Sequence, residues 1–228
     1  MQRIHLVALL FTLLSSVVNS QNEIVTRDLE SWSTVSLNYD YSKEFDFDFE
    51  QSFRLYDNST KIDQFFTNIN MNRKWENGMF FTGGFRFISD PDKDDGDYDF
   101  HLRWNADIGY RHSLDRFKFN YRMRLQTKNE LGYSRSEGDF SIRALRIRAG
   151  VKYNIKNWKL DPQVSFELFR ESGRYIVSSF NKYRISVSTK YKFSKLIELK
   201  GFYRFERGLG MLLPQNTNII GFNLTFNL

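Results

Sequence analysis

Four polar residues on one segment are the first candidates for chemistry: Asp97, Asp99, His101 and Asp107. On an extended strand they share one face, and a carboxylate beside a histidine can orient the ring as a general base. Residues two apart on a strand are separated by about 6.6 Å, so Asp99 need not reach His101. No serine is marked as a nucleophile by its local sequence. We therefore predict no catalytic residues and no cofactor, and we keep an enzyme acting on lipid or peptide as an alternative.

An acidic loop is the second candidate, and its carboxylates are Asp90, Asp92, Asp94, Asp95 and Asp97. Oxygen-rich loops bind calcium or magnesium, and an exposed one could bridge to lipid phosphates through cations. The loop departs from the EF-hand pattern, because its sixth position is Asp95 and its twelfth is His101. We expect a solvated turn with no metal site, and a weak cation site is the alternative.

A third set is basic and recurs at alternate positions of several segments. It comprises Arg122, Arg124, Arg146, Arg148, Lys152, Arg184 and Arg204, with Glu167, Glu198 and Glu206 as acidic neighbours. Around a narrow water-filled channel such a set would focus positive potential and attract small anions. In an interior filled by its own side chains the same residues would cross-link strands as ion pairs. We favour an Arg-rich interior that is plugged or narrow, and we keep a small anion-preferring channel as the alternative.

The elements that position these residues are strands, because the sequence alternates with period two. In residues 45–50 every odd residue is Phe and every even one is acidic, a pattern that a strand sorts onto two faces and a helix would smear. Eleven such segments follow one another from Trp32, and none calls for a helix. The alternation slips by one residue between Ala144 and Leu145, which predicts a β-bulge.

The connections favour a membrane barrel over a soluble sandwich. Short turns, including Asn77-Gly78 with its type I′ hairpin signal, alternate with longer polar loops, as they do in outer-membrane barrels. The apolar face becomes aromatic beside the short turns, which predicts a girdle at one membrane boundary. The girdle residues are Tyr41, Trp75, Tyr110, Tyr153, Trp158 and Phe193. Arg73, on the same face beside Trp75, is expected to snorkel to the boundary.

Closure follows because lipid offers no hydrogen bonds to an open sheet edge. Short turns should face the periplasm and long loops the exterior. We predict an antiparallel transmembrane β-barrel of twelve strands, in which residues 23–30 supply a short first strand. Ten strands, or eleven with one parallel seam, are the alternatives. After leader removal, residues 21–228 should form a single domain.

The N-terminus predicts export. Arg3 precedes an apolar run over residues 6–14, too short to span a bilayer, and residues 1–20 read as a cleaved signal peptide. The absence of cysteine excludes disulfides and thiolate sites. Although the pI is about 9.4, the cations alternate with aromatic residues on opposite faces, so we expect no nucleic-acid binding. A soluble periplasmic β-protein remains an alternative.

Two groups of residues carry a resemblance. Residues 219–228 look like the C-terminal strand that Gram-negative outer-membrane proteins present to their assembly machinery. Residues 121–125, 146–153 and 203–207 are together similar to a family of predicted outer-membrane barrels catalogued as a domain of unknown function. The resemblance implies a fold and an outer-membrane location, with membrane lipid, lipopolysaccharide and the assembly machinery as partners. It implies no activity and no oligomeric state.

Overall fold

The structure is a computed structural model that describes residues 26–91, 97–132, 141–173, 179–210 and 213–228. Within these ranges the chain forms eleven strands and no helix. The strands are β1 (Thr26–Asp40), β2 (Phe45–Tyr56), β3 (Lys61–Lys74), β4 (Met79–Pro91), β5 (Tyr98–Leu114), β6 (Phe117–Glu130), β7 (Ile142–Tyr153), β8 (Asp161–Ser172), β9 (Lys182–Lys192), β10 (Ile197–Gly208) and β11 (Gln215–Asn227). No helix among the described residues is long and apolar enough to cross a membrane.

The eleven strands close into one barrel in which each strand pairs with its neighbours in sequence. All of these pairs are antiparallel. The remaining pair, β1 with β11, is parallel and runs in continuous register from Thr26↔Gln215 to Asn38↔Asn227. The predicted all-β closed barrel is thereby confirmed.

The period-two pattern sorts apolar residues outward and charged residues inward. Phe47, Trp104 and Ile147 lie on the outer wall with exposed fractions of 40%, 57% and 43%. Arg124 and Glu167 project into the lumen, where their side chains are 13% and 5% exposed. A water-soluble barrel would bury the first three residues together, because its core is its interior. Here the interior holds the ions.

The strand number corrects the preferred count of twelve to the alternative of eleven with one parallel seam. Residues 26–30 are the beginning of β1, and β1 pairs directly with β11. The closed sheet therefore has no gap into which a separate strand from residues 23–30 could insert. Residues 23–25 and the predicted signal peptide, residues 1–20, lie outside the described residues.

Two local predictions are wrong. The ladder between β6 and β7 is continuous through Gln126↔Ala144 and Leu125↔Leu145, so no bulge lies there, and Ala144 is buried in the lumen. The register shift is instead at Arg54/Leu55 in the β2–β3 pair. The β3–β4 turn is also not type I′, which needs positive φ at two residues. Only Gly78 (φ 88°) has positive φ there, as in a three-residue loop ending in glycine.

The lumen is packed by rings as well as by polar groups. Its buried apolar residues are Trp32, Phe66, Phe80, Ile88, Ala144, Phe169 and Ile219. Two inward-facing glycines make room for rings: the Phe80 ring lies where a side chain on Gly109 would stand, and the Phe202 ring lies against Gly221 in the same way. Rings that occupy the space beside inward-facing strand glycines narrow the interior of the barrel.

Candidate functional site: the barrel lumen

All of the basic and acidic residues predicted for the lumen lie on inward-facing positions of five neighbouring strands. Arg122 and Arg124 are on β6, while Arg146, Arg148 and Lys152 are on β7. Glu167 is on β8, Arg184 on β9, and Glu198, Arg204 and Glu206 on β10. Cross-strand register puts Arg122 opposite Arg148 and Arg124 opposite Arg146. Like charges placed directly opposite repel, so these pairs need carboxylates between them.

Glu167 is the hub of the ion pairs. Its carboxylate accepts two hydrogen bonds from Arg146, at 3.1 and 3.0 Å, and one from Arg122 at 2.7 Å. The Arg184 guanidinium lies 3.7 Å away on the opposite strand. Bidentate bonds between a guanidinium and a carboxylate are the strongest ion pairs in proteins. One carboxylate therefore ties β6, β7, β8 and β9 together across the lumen.

Two further carboxylates complete this network. Asp107 on β5 accepts two bonds of 2.7 Å from Arg124, and Glu206 accepts one of 2.6 Å from the Arg184 Nε. Lys182 also lies 3.6 Å from Glu206. We call the four arginines that share Asp107, Glu167 and Glu206 the acid-paired set: Arg122, Arg124, Arg146 and Arg184.

The remaining predicted lumen ions lie in smaller pairs toward the short-turn end. Lys152 Nζ is 3.0 Å from Asp161, and Glu198 contacts both Lys190 and Lys192, the latter at 2.9 Å. Lys192 is largely exposed, and its side chain marks the rim of the lumen.

Arg148 and Arg204 behave differently from the other predicted arginines. In the described part of the chain neither has a carboxylate oxygen within 4.0 Å. The Arg204 guanidinium lies over the Phe202 ring at 3.9 Å and over Trp32 at 4.8 Å from the ring centroids. Their sequence pattern placed Arg148 and Arg204 in one lumen set with the other arginines, but in the structure they are not part of the ion pairs.

Sequence reasoning missed a second group of cations and the rings beside them. Arg54 on β2, Arg86 on β4, Arg103 on β5 and Lys200 on β10 also face the lumen, as do Trp32, Phe66 and Phe202. The signal was available, because each missed cation is in phase with the polar residues of its own strand. The rings are on the same polar phase of their strands, but they were not recognised because most aromatic residues of the sequence face outward.

These residues surround one cavity of about 370 Å³. Its charged lining, among the described residues, is nine arginines, two lysines and three glutamates, so positive charge is in large excess. A second cavity, of about 270 Å³, lies nearer the long-loop end, where Glu30, Glu171 and Glu206 face Lys182. The lumen is thus a chambered interior rich in guanidinium groups.

The acid–base candidates are not assembled for catalysis. His101 Nδ1 lies 3.5 Å from Asp90, which also contacts Lys128 at 3.2 Å. Asp107 is held by Arg124, so it is not available to orient the histidine. Asp99 is the register partner of Asp90 on the neighbouring strand. The arrangement is a histidine in a small ionic cluster near the end of the barrel.

The acidic loop is described only at its two ends. Asp90 is engaged with Lys128, and Asp97 is exposed. Asp92, Asp94 and Asp95 lie outside the described residues. In the ranges that the structure covers, no three His, Cys, Asp or Glu side chains come together as they would around a metal ion.

The predicted girdle residues lie on the short-turn side of the barrel, in the short turns or within the last five residues of the strands that lead into them. Tyr41, Trp75 and Phe193 are the residues that directly follow β1, β3 and β9, and Tyr153 is the last residue of β7. Tyr110 pairs with Met79 at the start of β4, and Trp158 is in the β7–β8 turn. Arg73 is between rings, 5.4 Å from Phe45 and 5.0 Å from Trp75, and 3.8 Å from Glu44. Cation–π contacts and a rim carboxylate let this arginine lie on an apolar face.

Comparisons with known proteins agree with this architecture. A family model described as "Protein of unknown function (DUF2490)" matches residues 29–208, which confirms the family resemblance drawn from the sequence. The structure is similar to the crystal structure of the beta domain of the Bordetella autotransporter BrkA, with a TM-score of 0.50 and 10% identity over 78% of this chain and 81% of that one. At that identity the likeness concerns the fold alone. No curated protein matches the sequence.

Proposed function

We propose that this chain, which belongs to the family of proteins of unknown function (DUF2490), is an integral β-barrel protein of the Gram-negative outer membrane. The observation that carries the proposal is the outer wall. Large apolar side chains are exposed on the outward positions of every strand, from Val35 on β1 to Phe222 on β11. Soluble monomers rarely expose contiguous apolar patches above a few hundred Å². A closed apolar wall suits lipid, which requires every backbone group to be paired within the protein.

The orientation follows from the two rims. The short turns and the aromatic girdle would face the periplasm, and the longer loops would face the exterior. Tyr41, Trp158 and Phe193 are strongly exposed at the girdle level, where the amphipathic rings of Tyr and Trp favour the lipid headgroup region. Lipid and lipopolysaccharide would therefore surround the wall. The last strand, β11, would be the element handed to the outer-membrane assembly machinery.

The lumen would be narrow and cross-linked, with no open diffusion pore. The acid-paired set joins neighbouring strands through Asp107, Glu167 and Glu206, and the rings of Phe80 and Phe202 lie over lumen glycines. Barrels of this size can be filled by their own side chains. A small anion-preferring channel is the second candidate, favoured by the excess of arginines around the cavity.

Cell fractionation tests the location. The chain, expressed with residues 1–20 in a Gram-negative host, should sediment with the outer membrane, resist extraction by alkaline carbonate and migrate faster on gels before boiling than after. Release with the osmotic-shock fraction would instead mean a soluble periplasmic protein.

Planar bilayers test the lumen. The purified barrel should give no steady conductance steps in chloride. Reproducible anion-selective steps would mean that the lumen is an open channel. In that case Arg124→Gln should lower the anion selectivity, because lumen charge tunes selectivity only where water passes.

A further inference from the structure

The 370 Å³ cavity is bordered by a second set of cations, which we call the unpaired set. In the part of the chain that the structure describes, none of its members has a carboxylate oxygen within 4.0 Å. Glu50, which also lines the cavity, accepts a hydrogen bond from Asn68 at 3.2 Å and forms no ion pair with any described residue. The unpaired set is Arg54, Arg86, Arg103, Arg148, Arg204 and Lys200.

The unpaired set is held in an unfavourable electrostatic arrangement. Arg86 and Arg103 are direct cross-strand partners on β4 and β5, and Arg86 is only 8% exposed. Among the residues that the structure describes, the buried Nε donors of Arg54 and Arg103 have no hydrogen-bond partner. Like charges opposite one another are destabilising, and a buried charge without a counter-ion is costly. Both conditions are relieved if an anion occupies the cavity.

Aromatic rings hold the guanidinium groups in position. Phe66 lies beneath Arg86 at 3.6 Å and beneath Arg54 at 4.7 Å from its centroid. Trp32 lies beneath Arg54 at 3.6 Å, and on β10 the Arg204 guanidinium lies over the Phe202 ring at 3.9 Å from its centroid. Stacking covers the face of a guanidinium and leaves its N–H edge free for bidentate bonds to phosphate or carboxylate. The rings thus pre-organise donors around an empty space of ligand size.

We propose that this cavity binds a compact oxyanion carrying two or more negative charges, of the diphosphate type. Several guanidinium edges around one chamber match several anionic oxygens, whereas a single chloride could neutralise only one of them. The proposal rests on the barrel enclosing the lumen, as inferred above. It assigns binding to the unpaired set and leaves strand cross-linking to the acid-paired set.

Trp32 supplies a reporter inside the cavity. The chain has four tryptophans, and Trp75, Trp104 and Trp158 are exposed and do not line the cavity. Replacing those three with Phe leaves Trp32 as the only indole, in contact with Arg54. Inorganic diphosphate titrated into the folded full-length barrel should change its fluorescence saturably, while equal ionic strength of sodium chloride should not. Calorimetry on the unsubstituted protein should give the same dissociation constant.

Charge removal tests the residues. Arg86→Gln and Arg103→Gln should each raise the dissociation constant of diphosphate at least tenfold. Arg116→Gln is the matched control, because it removes the same charge from an exposed turn outside the lumen, and it should leave the constant within twofold. Equal affinities in all three variants would overturn the proposal, since the anion would then bind the outer surface.

Two further outcomes separate this inference from the proposed function. A barrel that is heat-modifiable and membrane-embedded but binds no diphosphate by either measurement overturns the anion site alone. A chain that never enters membranes overturns the membrane proposal, and diphosphate binding measured in detergent would still support the cavity.

Discussion

Glu167→Gln is the sharpest perturbation of the lumen, because one carboxylate serves three guanidinium groups. The substitution keeps the shape of the side chain and removes its charge. Arg122 would keep Asp107 at 3.7 Å and Arg184 would keep Glu206, so both retain an acidic partner. Among the described residues, Arg146 would keep no acidic partner, and it would retain only a hydrogen bond to Gln126 at 3.4 Å and its position over the Phe169 ring at 4.5 Å. The loss is therefore concentrated on one buried arginine.

The magnitude follows from that count of partners. Removing one member of a buried ion pair costs about 3–5 kcal/mol, because an uncompensated charge is left behind. With one arginine stranded, we expect the free energy of unfolding to fall by about 3 kcal/mol, the lower end of that range. Glu171→Gln is the control. Glu171 pairs with Lys182 at 3.4 Å, but both side chains are about one-third exposed, so its loss should cost about 0–1 kcal/mol.

Equilibrium unfolding in urea, with the barrel inserted in phospholipid vesicles, measures both variants. The double variant Arg146→Gln/Glu167→Gln should regain at least half of the stability lost in Glu167→Gln, because the stranded charge is gone. If Glu167→Gln and Glu171→Gln lose the same stability, the hub contributes nothing special. The assignment of strand cross-linking to the acid-paired set would then be wrong.

The remaining predictions concern the wall and the seam. Ile147→Arg, on the outer face at the middle of β7, should destabilise the vesicle-inserted barrel by about 2–4 kcal/mol. Leu114→Arg, beside a short turn, should cost only about 0–1 kcal/mol. If the urea titration shows equal, small losses of stability for both variants, the outer wall faces water. Gly221→Ala should lose about 1–3 kcal/mol, because the added methyl group meets the Trp32 carbonyl and the Phe202 ring. Gly201→Ala, which meets nothing within 4 Å, should be neutral or stabilising in the same measurement.

The alternation of apolar and polar residues along each segment was enough to predict most of the fold from the sequence. A strand with one face in lipid and one in a polar lumen must alternate, so residues 45–50 alone indicate both the element and its two faces. The same rule fixed the inward positions of Arg124 and Glu167. What alternation does not encode is the partner of each ion. Arg148 and Arg204 have the same local pattern as the paired arginines. Arg148 is even the cross-strand partner of Glu167, but the Glu167 carboxylate bonds to Arg146 instead. Arg204 has Ser186 as its partner on β9.

The aromatic residues that line the lumen were not predicted from the sequence, because their aromatic neighbours obscure the alternation. Phe66 follows the outward-facing Phe65 and Phe202 precedes the outward-facing Tyr203, so each inward-facing ring is hidden in a pair of adjacent aromatic residues. Their inward position depends on space, which Gly221 provides for Phe202. Space inside a barrel is a property of several strands together. A single segment therefore cannot reveal it, although an aromatic residue on the polar phase of a strand is a usable signal.

The strand number has a consequence for the cavity, because the parallel seam is what brings its two halves together. Trp32 on β1 is the register partner of Gly221 on β11, and its ring is 6.4 Å from Phe202 and 4.8 Å from the Arg204 guanidinium on β10. An additional strand between β1 and β11 would widen each of these separations by about 4.8 Å, the spacing of paired strands. Trp32 would then hold Arg54 but not reach Arg204. The odd count of eleven therefore does more than close the sheet: it lets a ring from the first strand order cations contributed from both sides of the seam.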